Sequence, residues 1–304
     1  MVHNTLEPAD RASRRGARSG AVRRAAGRGW RTATTTLAAC ARHRVTGLAG
    51  EAAFFAVLSA PPLLLGLVGT LGYLVPVIGA GTVASVQAAI LRSASFVLAP
   101  QAVDGIVGPT LHEVLATGQA GVLSIGFVLA VWSGSSALNV YIDTITLVHG
   151  LNGRRGVVRQ RLLSVALYLA GLLVGVVLLP LLVTGPQVIT DLFPPAGTAI
   201  RALYWPTVVL LSALALTSLY QVSVPEPSRW RQHLPGALLA VVLWLAGSAA
   251  LRGYLGLTIE RSPIYGSLSA PIAVLLWLYV TALAVLLGAT LNAQLARDRA
   301  RAVE

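Results

Sequence analysis

Six apolar runs limit what this chain can fold into: residues about 52–75, 120–142, 162–184, 203–224, 234–256 and 268–292. Each is close to the roughly 20 residues that carry a helix across a hydrocarbon core. A water-soluble domain of 304 residues needs a charged coat of about a quarter of its sequence. Here charged residues make up 11% and hydrophobic residues 55%, with a mean hydropathy of +0.73. Much of the surface must therefore face lipid. The runs are separated by segments rich in charge, glycine or proline, as in LNGRRGVVRQR at 151–161 and PEPSRWRQHLP at 225–235. This pattern predicts an all-α integral membrane protein, a six-transmembrane-helix bundle.

Arginine placement sets the expected orientation. All 23 basic residues are arginine. If six spans leave both termini inside, nineteen fall in the first 44 residues, the 151–161 and 225–235 segments and the C-terminus. Only Arg92, Arg201, Arg252 and Arg261 fall at or beyond the other face. That asymmetry predicts cytoplasmic N- and C-termini. Residues 1–44 read as a solvated basic arm, with anionic lipid headgroups as its partner. The apolar run begins too far from the first arginines for a cleavable signal peptide. No aromatic residue interleaves the arginines between Arg11 and Arg28, which argues against specific nucleic-acid binding. The first outer loop, 76–119, carries Val83, Val86, Ile90, Ala94 and Val97, then Val103, Val107, Leu111 and Val114, at helical spacing. Two amphipathic helices are expected there, along the outer interface or capping the bundle, and not a seventh span.

Several kinds of chemistry are excluded. Without lysine there is no Schiff base and no phosphate-gripping P-loop lysine. Cys40 is the one cysteine, so no internal disulfide or multi-cysteine zinc site forms. The histidines, at 3, 43, 112, 149 and 233, lack ligand spacing, and the eleven acids form no useful pair. No metal site, cofactor or catalytic set is predicted.

Polar residues inside the apolar runs mark candidate sites. On the second run Trp132, Ser135, Ser136, Asn139, Asp143 and Thr146 recur at spacings of three and four. Such a stripe faces protein or a wet cavity, as a solute pathway or as hydrogen-bonding glue between helices. On the first run Glu51 lies near the helix start, where the dipole favours an anion. Pro61 and Pro62 withdraw two backbone donors from the carbonyls of Val57 and Leu58, predicting a kink within a bundle. Gly66, Gly69 and Gly72, the Gly171–Gly175 pair, Gly247 and Gly253 are expected at helix contacts.

Four blocks together resemble the YihY/BrkB family of bacterial inner-membrane proteins, also called the UPF0761 group. They are AGEAAFFAVLSAPPL at 49–63, which contains Ser59; SALN at 136–139; WRQHLPGALLAVVLW at 230–244; and IYGSLSAPIAVLLWLYVTALAVLLGATLNAQL at 264–295. Tyr265, Gly266, Trp277 and Gly288 are the motif residues of the last block, which also carries Asn292. The likeness runs over about residues 44–296. It implies a multi-pass protein of the bacterial inner membrane and brings an older ribonuclease BN label. The absence of paired acids or clustered histidines argues against that label for this chain. Thr290 stands where the family often has glutamate, and Phe54 or Phe55 where it has tyrosine. The function expected is assistance to movement of an amphiphilic or envelope-related solute, without an ATPase. The alternative is a non-catalytic membrane scaffold with envelope proteins as partners.

Overall fold

The computed structural model describes residues 30–78, 120–184, 197–259 and 266–301, with positions 81, 88, 91 and 109 between them. Among the described residues all regular structure is helical: α1 (30–42), α2 (Val45–Ile78), α3 (Ala120–Val148), α4 (Val157–Thr184), α5 (Gly197–Ser223), α6 (Leu234–Ile259) and α7 (Gly266–Arg301). A short 3₁₀ turn, Trp230–Gln232, leads into α6. The chain is thus an all-α membrane protein. Five of these helices, α2 and α4 to α7, are long and apolar enough to cross a membrane. The expected sixth, α3, is 29 residues long. Its start, AGVLSIGFVLAV, is apolar and free of charge, and Ser133, Ser135, Ser136, Asn139 and Asp143 follow. The amphipathic helices expected within 76–119 lie outside the described residues.

Helices α2 and α3 pair closely, and α7 packs against α2 and α6 while touching α3. Helix α4 leans on α3, and α5 on α6. The core gathers where α1, the α3–α4 and α5–α6 connections and the end of α7 meet. Val45 and Ala49 of α2, Ile145 and Val148 of α3, Tyr220 of α5, Ala237 of α6, and Leu286 and Ala289 of α7 are buried together there. Because Arg154, Arg155, Arg229, Arg231 and Arg297 lie in these segments, this is called the arginine end. Part of the basic arm differs from its expected solvated state. Residues 30–42 are helical, and Ala39 and Cys40 are buried because α1 lays one face on the core.

Lipid tails are as apolar as leucine, so packing at close range holds such helices together. Gly236 and Gly288 bring α6 and α7 into backbone contact: a Cβ on either would strike the other's carbonyl oxygen. Gly134 lies under the ring of Tyr168, where α4 crosses α3, and Gly247 lies against Val280. The sequence pattern pointed elsewhere in part. Gly171 and Gly253 have open space where a side chain would go. The surroundings of Gly66, Gly69 and Gly72 lie outside the described residues. Helix α2 continues through Pro61 and Pro62.

Helix ends are closed by specific devices. Gly150, at φ +74°, ends α3 in a left-handed turn. The Leu151 N–H reaches back to the Thr146 carbonyl and the Gly150 N–H to that of Leu147, which satisfies two orphan acceptors. Gly288→Ala should lower stability by about 1–3 kcal/mol through overpacking. Gly171→Ala should change it by less than about 0.5 kcal/mol. Thermal unfolding of the two variants in the same detergent checks the contrast.

Candidate functional site: a polar seam and a capped junction

The polar stripe of α3 meets the first turns of α4, whose own polar residues, Gln160, Arg161 and Ser164, repeat at the same helical spacing. Gln160 donates from Nε2 to Asn139 Oδ1 at 3.3 Å and, at a long 3.5 Å, to Asp143 Oδ1. The Ser164 hydroxyl lies 3.2 Å from Asn139 Oδ1 and 3.0 Å from the Gln160 carbonyl. Ser136 donates to the Trp132 carbonyl at 2.7 Å and accepts from Arg161 Nη1 at 3.1 Å. Arg161 Nη2 also donates to the Trp132 carbonyl at 3.0 Å, and its guanidinium lies 4.4 Å from the indole centroid. Eleven residues separate Asp143 from Trp132, so the seam climbs about 16 Å along α3. It is open along its flank: Trp132 is 66% exposed and Asp143 is exposed, while Ser136, Asn139 and Arg161 are half-buried. The remaining stripe residues turn inward. Ser135 and Thr146 are buried and bond to backbone carbonyls of α3 itself.

A second assembly joins α5, α6 and α7. Asn292, only 2% exposed, accepts from the Gly236 N–H at 2.8 Å and donates to the His233 carbonyl at 2.9 Å. Gly236 is in the first turn of α6, where backbone N–H groups have no partner within the helix. Asn292 thus caps α6 from another helix. Tyr220 closes the same junction by donating to the Val285 carbonyl at 2.7 Å. His233 is 4% exposed, with Nε2 2.8 Å from the Ser228 hydroxyl and Nδ1 buried without a partner. The His149 ring lies 6.3 Å away, its Nδ1 donating to the Ile145 carbonyl at 2.7 Å. Burial, then His149 and Arg299, push the His233 pKa down to about 4. Burial and Arg297 push that of His149 down as well, against the opposing pull of its carbonyl bond.

Other candidates are scattered. Glu51 is exposed in the second turn of α2, past the first turn where a helix dipole acts most strongly. The one ion pair among the described residues joins Arg154 to Glu226 at 2.9 Å. Ser59 is buried and donates to the Ala56 carbonyl at 2.8 Å. Pro61 is exposed and Pro62 half-buried. Tyr265 lies outside the described residues. Gly266 opens α7, Trp277 is exposed, and Gly288 is at the α6 contact. Thr290, in the place of the family glutamate, is fully buried and donates to the Leu286 carbonyl. No group of three or more His, Cys, Asp or Glu that could hold a metal occurs among the described residues.

Gly288 and Asn292 of α7 fall in the last block read from the sequence, and Gly236, which they meet at the start of α6, falls in the block before it. The match to known families agrees: the chain matches the family described as Virulence factor BrkB over residues 36–304. The chain belongs to the BrkB family. Among similar proteins, the putative ribonuclease-like protein YfkH of Bacillus subtilis (strain 168) is 27% identical over 206 residues, 65% of this chain and 74% of that one. The UPF0761 membrane protein Smlt0865 of Stenotrophomonas maltophilia (strain K279a) is 32% identical over 96 residues, 32% of this chain and 23% of that one. A UPF0761 membrane protein of Xanthomonas oryzae pv. oryzae (strain PXO99A) is 40% identical over 86 residues, 28% of this chain and 20% of that one. The chain thus spans under a quarter of these two UPF0761 relatives. No solved structure matches.

In the sequence Gln160 and Arg161 are hidden in the charged 151–161 connection and Ser164 in the apolar run that follows, although their spacing of three and four was a usable signal. The His149–His233 pair left no local signal, because it comes together across 84 residues of chain. His233 supplies a pH test. Its folded value lies below the ~6.5 of a free imidazole, so the unfolded chain binds the proton first as pH falls. The stability held by neutral His233 is complete above about 6.5 and is lost as pH falls to about 4. His233→Gln should flatten the fall in melting temperature over that window, by up to ~3 kcal/mol at its acid end. Identical pH profiles for the two proteins would exclude this role.

Proposed function

We propose that this BrkB-family chain is an inner-membrane protein with six spans and both termini cytoplasmic. In this reading it assists the movement of an amphiphilic, envelope-related solute along the α3–α4 seam. The topology is supported by the nineteen-to-four arginine split and by α1 and the end of α7 lying at the same end of the bundle. Reporter fusions at residue 1 and after Glu304 should both give cytoplasmic signals; a periplasmic signal at either would reject the topology.

The observation that carries the transport reading is the open seam. A ladder of amide, hydroxyl and carboxylate groups climbs about 16 Å, half of a roughly 30 Å hydrocarbon core. Near its top Arg161 makes no ion pair with a described carboxylate. A headgroup could exchange along such a ladder while its tail stays in lipid, which a closed channel would not allow. With no P-loop lysine, the movement is not powered by an ATPase of the chain's own. Hydrogen bonding as glue is the competing role, since Asn139 Oδ1 already accepts from Gln160 of α4. In vesicles carrying labelled anionic lipids, Asn139→Leu and Arg161→Gln should slow protein-dependent flux about tenfold or more, the factor equivalent to 1.4 kcal/mol. Abundance and melting temperature should hold. Loss of abundance in step with flux would assign the seam to packing alone.

A further inference from the structure

An open cavity of about 1030 Å³ lies between α1 and the paired helices α6 and α7, away from the seam on α3 and α4. Its floor is formed by Leu239 and Leu243 of α6 and Leu287, Leu291 and Leu295 of α7. These recur every fourth residue, so each helix offers a continuous apolar ridge. All five are half-buried, and α1 does not cover them. The rim is different. Arg31 of α1 and Arg301 in the last turn of α7 stand there with Asp298. None of the three makes an ion pair with a described residue, the Arg154–Glu226 pair being elsewhere. The rim therefore carries two guanidinium groups against one carboxylate.

The dimensions and charge favour one occupant. Fourteen residues separate Leu287 from Arg301, a rise of about 21 Å. One leaflet of a bilayer has a hydrocarbon depth of about 15 Å. The apolar run on α7 ends near residue 292, so the cavity runs from acyl depth at Leu287 and Leu291 to headgroup level and beyond at Leu295 and Arg301, apolar below and basic at the rim. Basic pockets between spanning helices are suited to anionic headgroups. The chain's own residues 1–29 are a poor fit, because their seven arginines repel the rim and outnumber two acids. We infer that this groove holds a resident phospholipid with an anionic headgroup, its phosphate on Arg31 and Arg301 and an acyl chain along the leucine floor. The site is independent of the transport reading, since it requires binding and no flux.

Photo-crosslinking tests this directly. The full chain, carrying benzoylphenylalanine in place of Leu291, is reconstituted in vesicles of equal parts phosphatidylcholine and phosphatidylglycerol. A parallel protein carries it in place of Leu169, an exposed position on α4. After illumination, mass spectrometry reads the adducts. The phosphatidylglycerol share at Leu291 should exceed that at Leu169 about fivefold, the factor one arginine contributes near an anionic surface. Arg31→Ala with Arg301→Ala should remove that excess. Equal lipid ratios at the two positions would overturn the inference, as would an excess that survives the double substitution. Adducts with residues 1–29 or with a second copy of the chain would assign the groove to those occupants instead. Should the Leu291 replacement fail to assemble, the probe at exposed Thr35 on the rim reads the same ratio.

Discussion

A helix end near a bilayer leaves backbone groups that lipid cannot satisfy, and at the arginine end side chains from other helices satisfy them. Arg297 donates to the Val148 carbonyl at 2.7 Å, at the last residue of α3. Arg155 donates to the Val222 carbonyl at 2.8 Å and, at 3.4 Å, to that of Val224, closing α5. Asn292 supplies the complement, an acceptor for the first turn of α6. A cation suits a helix C-terminus because the peptide dipoles gather negative charge there. The arginines of this end therefore fasten helix ends by geometry. The exposed Arg154–Glu226 pair adds little, since surface pairs are worth about 0–1 kcal/mol.

These caps depend on close approach. Asn292 reaches Gly236 only because α6 and α7 touch at Gly236 and Gly288, four residues earlier on α7. A side chain at either glycine would separate the helices and withdraw the cap. Two orphaned backbone groups would then add their desolvation, about 1–3 kcal/mol each, to the steric cost. Small residues and one amide thus act as a single unit at this junction. Elsewhere hydroxyls look after themselves. Ser133, Thr144, Thr217 and Ser223 each donate to the carbonyl four residues back, so their burial leaves no donor unmet.

How much of this was legible beforehand follows from the range of the forces involved. The apolar runs were, because hydropathy over about 20 residues is a local property. So was the stripe from Trp132 to Asp143, because helical periodicity shows in a single segment. Its partner face on α4 was hidden by the arginines around it. Glycine spacing was the weakest guide: Gly171 meets open space, whereas Gly134, under the Tyr168 ring, went unremarked. A repeat of small residues marks a face that can be approached, and only the neighbouring helix decides whether it is. The helix at 30–42 was masked in the same way, its buried Ala39 and Cys40 outnumbered by arginine in the sequence.

The two polar assemblies also differ in what they allow. At the α5–α6–α7 junction the partners are buried, and the bonds to Asn292 and from Tyr220 are short, 2.7–2.9 Å. Opening it exposes backbone donors and acceptors to a medium that cannot replace them. Along the seam the contacts run from 2.7 to 3.5 Å, and several partners are long side chains on an open flank. A polar headgroup there would offer the same donors and acceptors it displaces, so exchange costs little net hydrogen bonding. A bundle built this way can loosen α4 against α3 while α2, α6 and α7 stay locked. The longer, exposed contacts belong to the seam, and the short, buried ones to the glycine-and-asparagine junction.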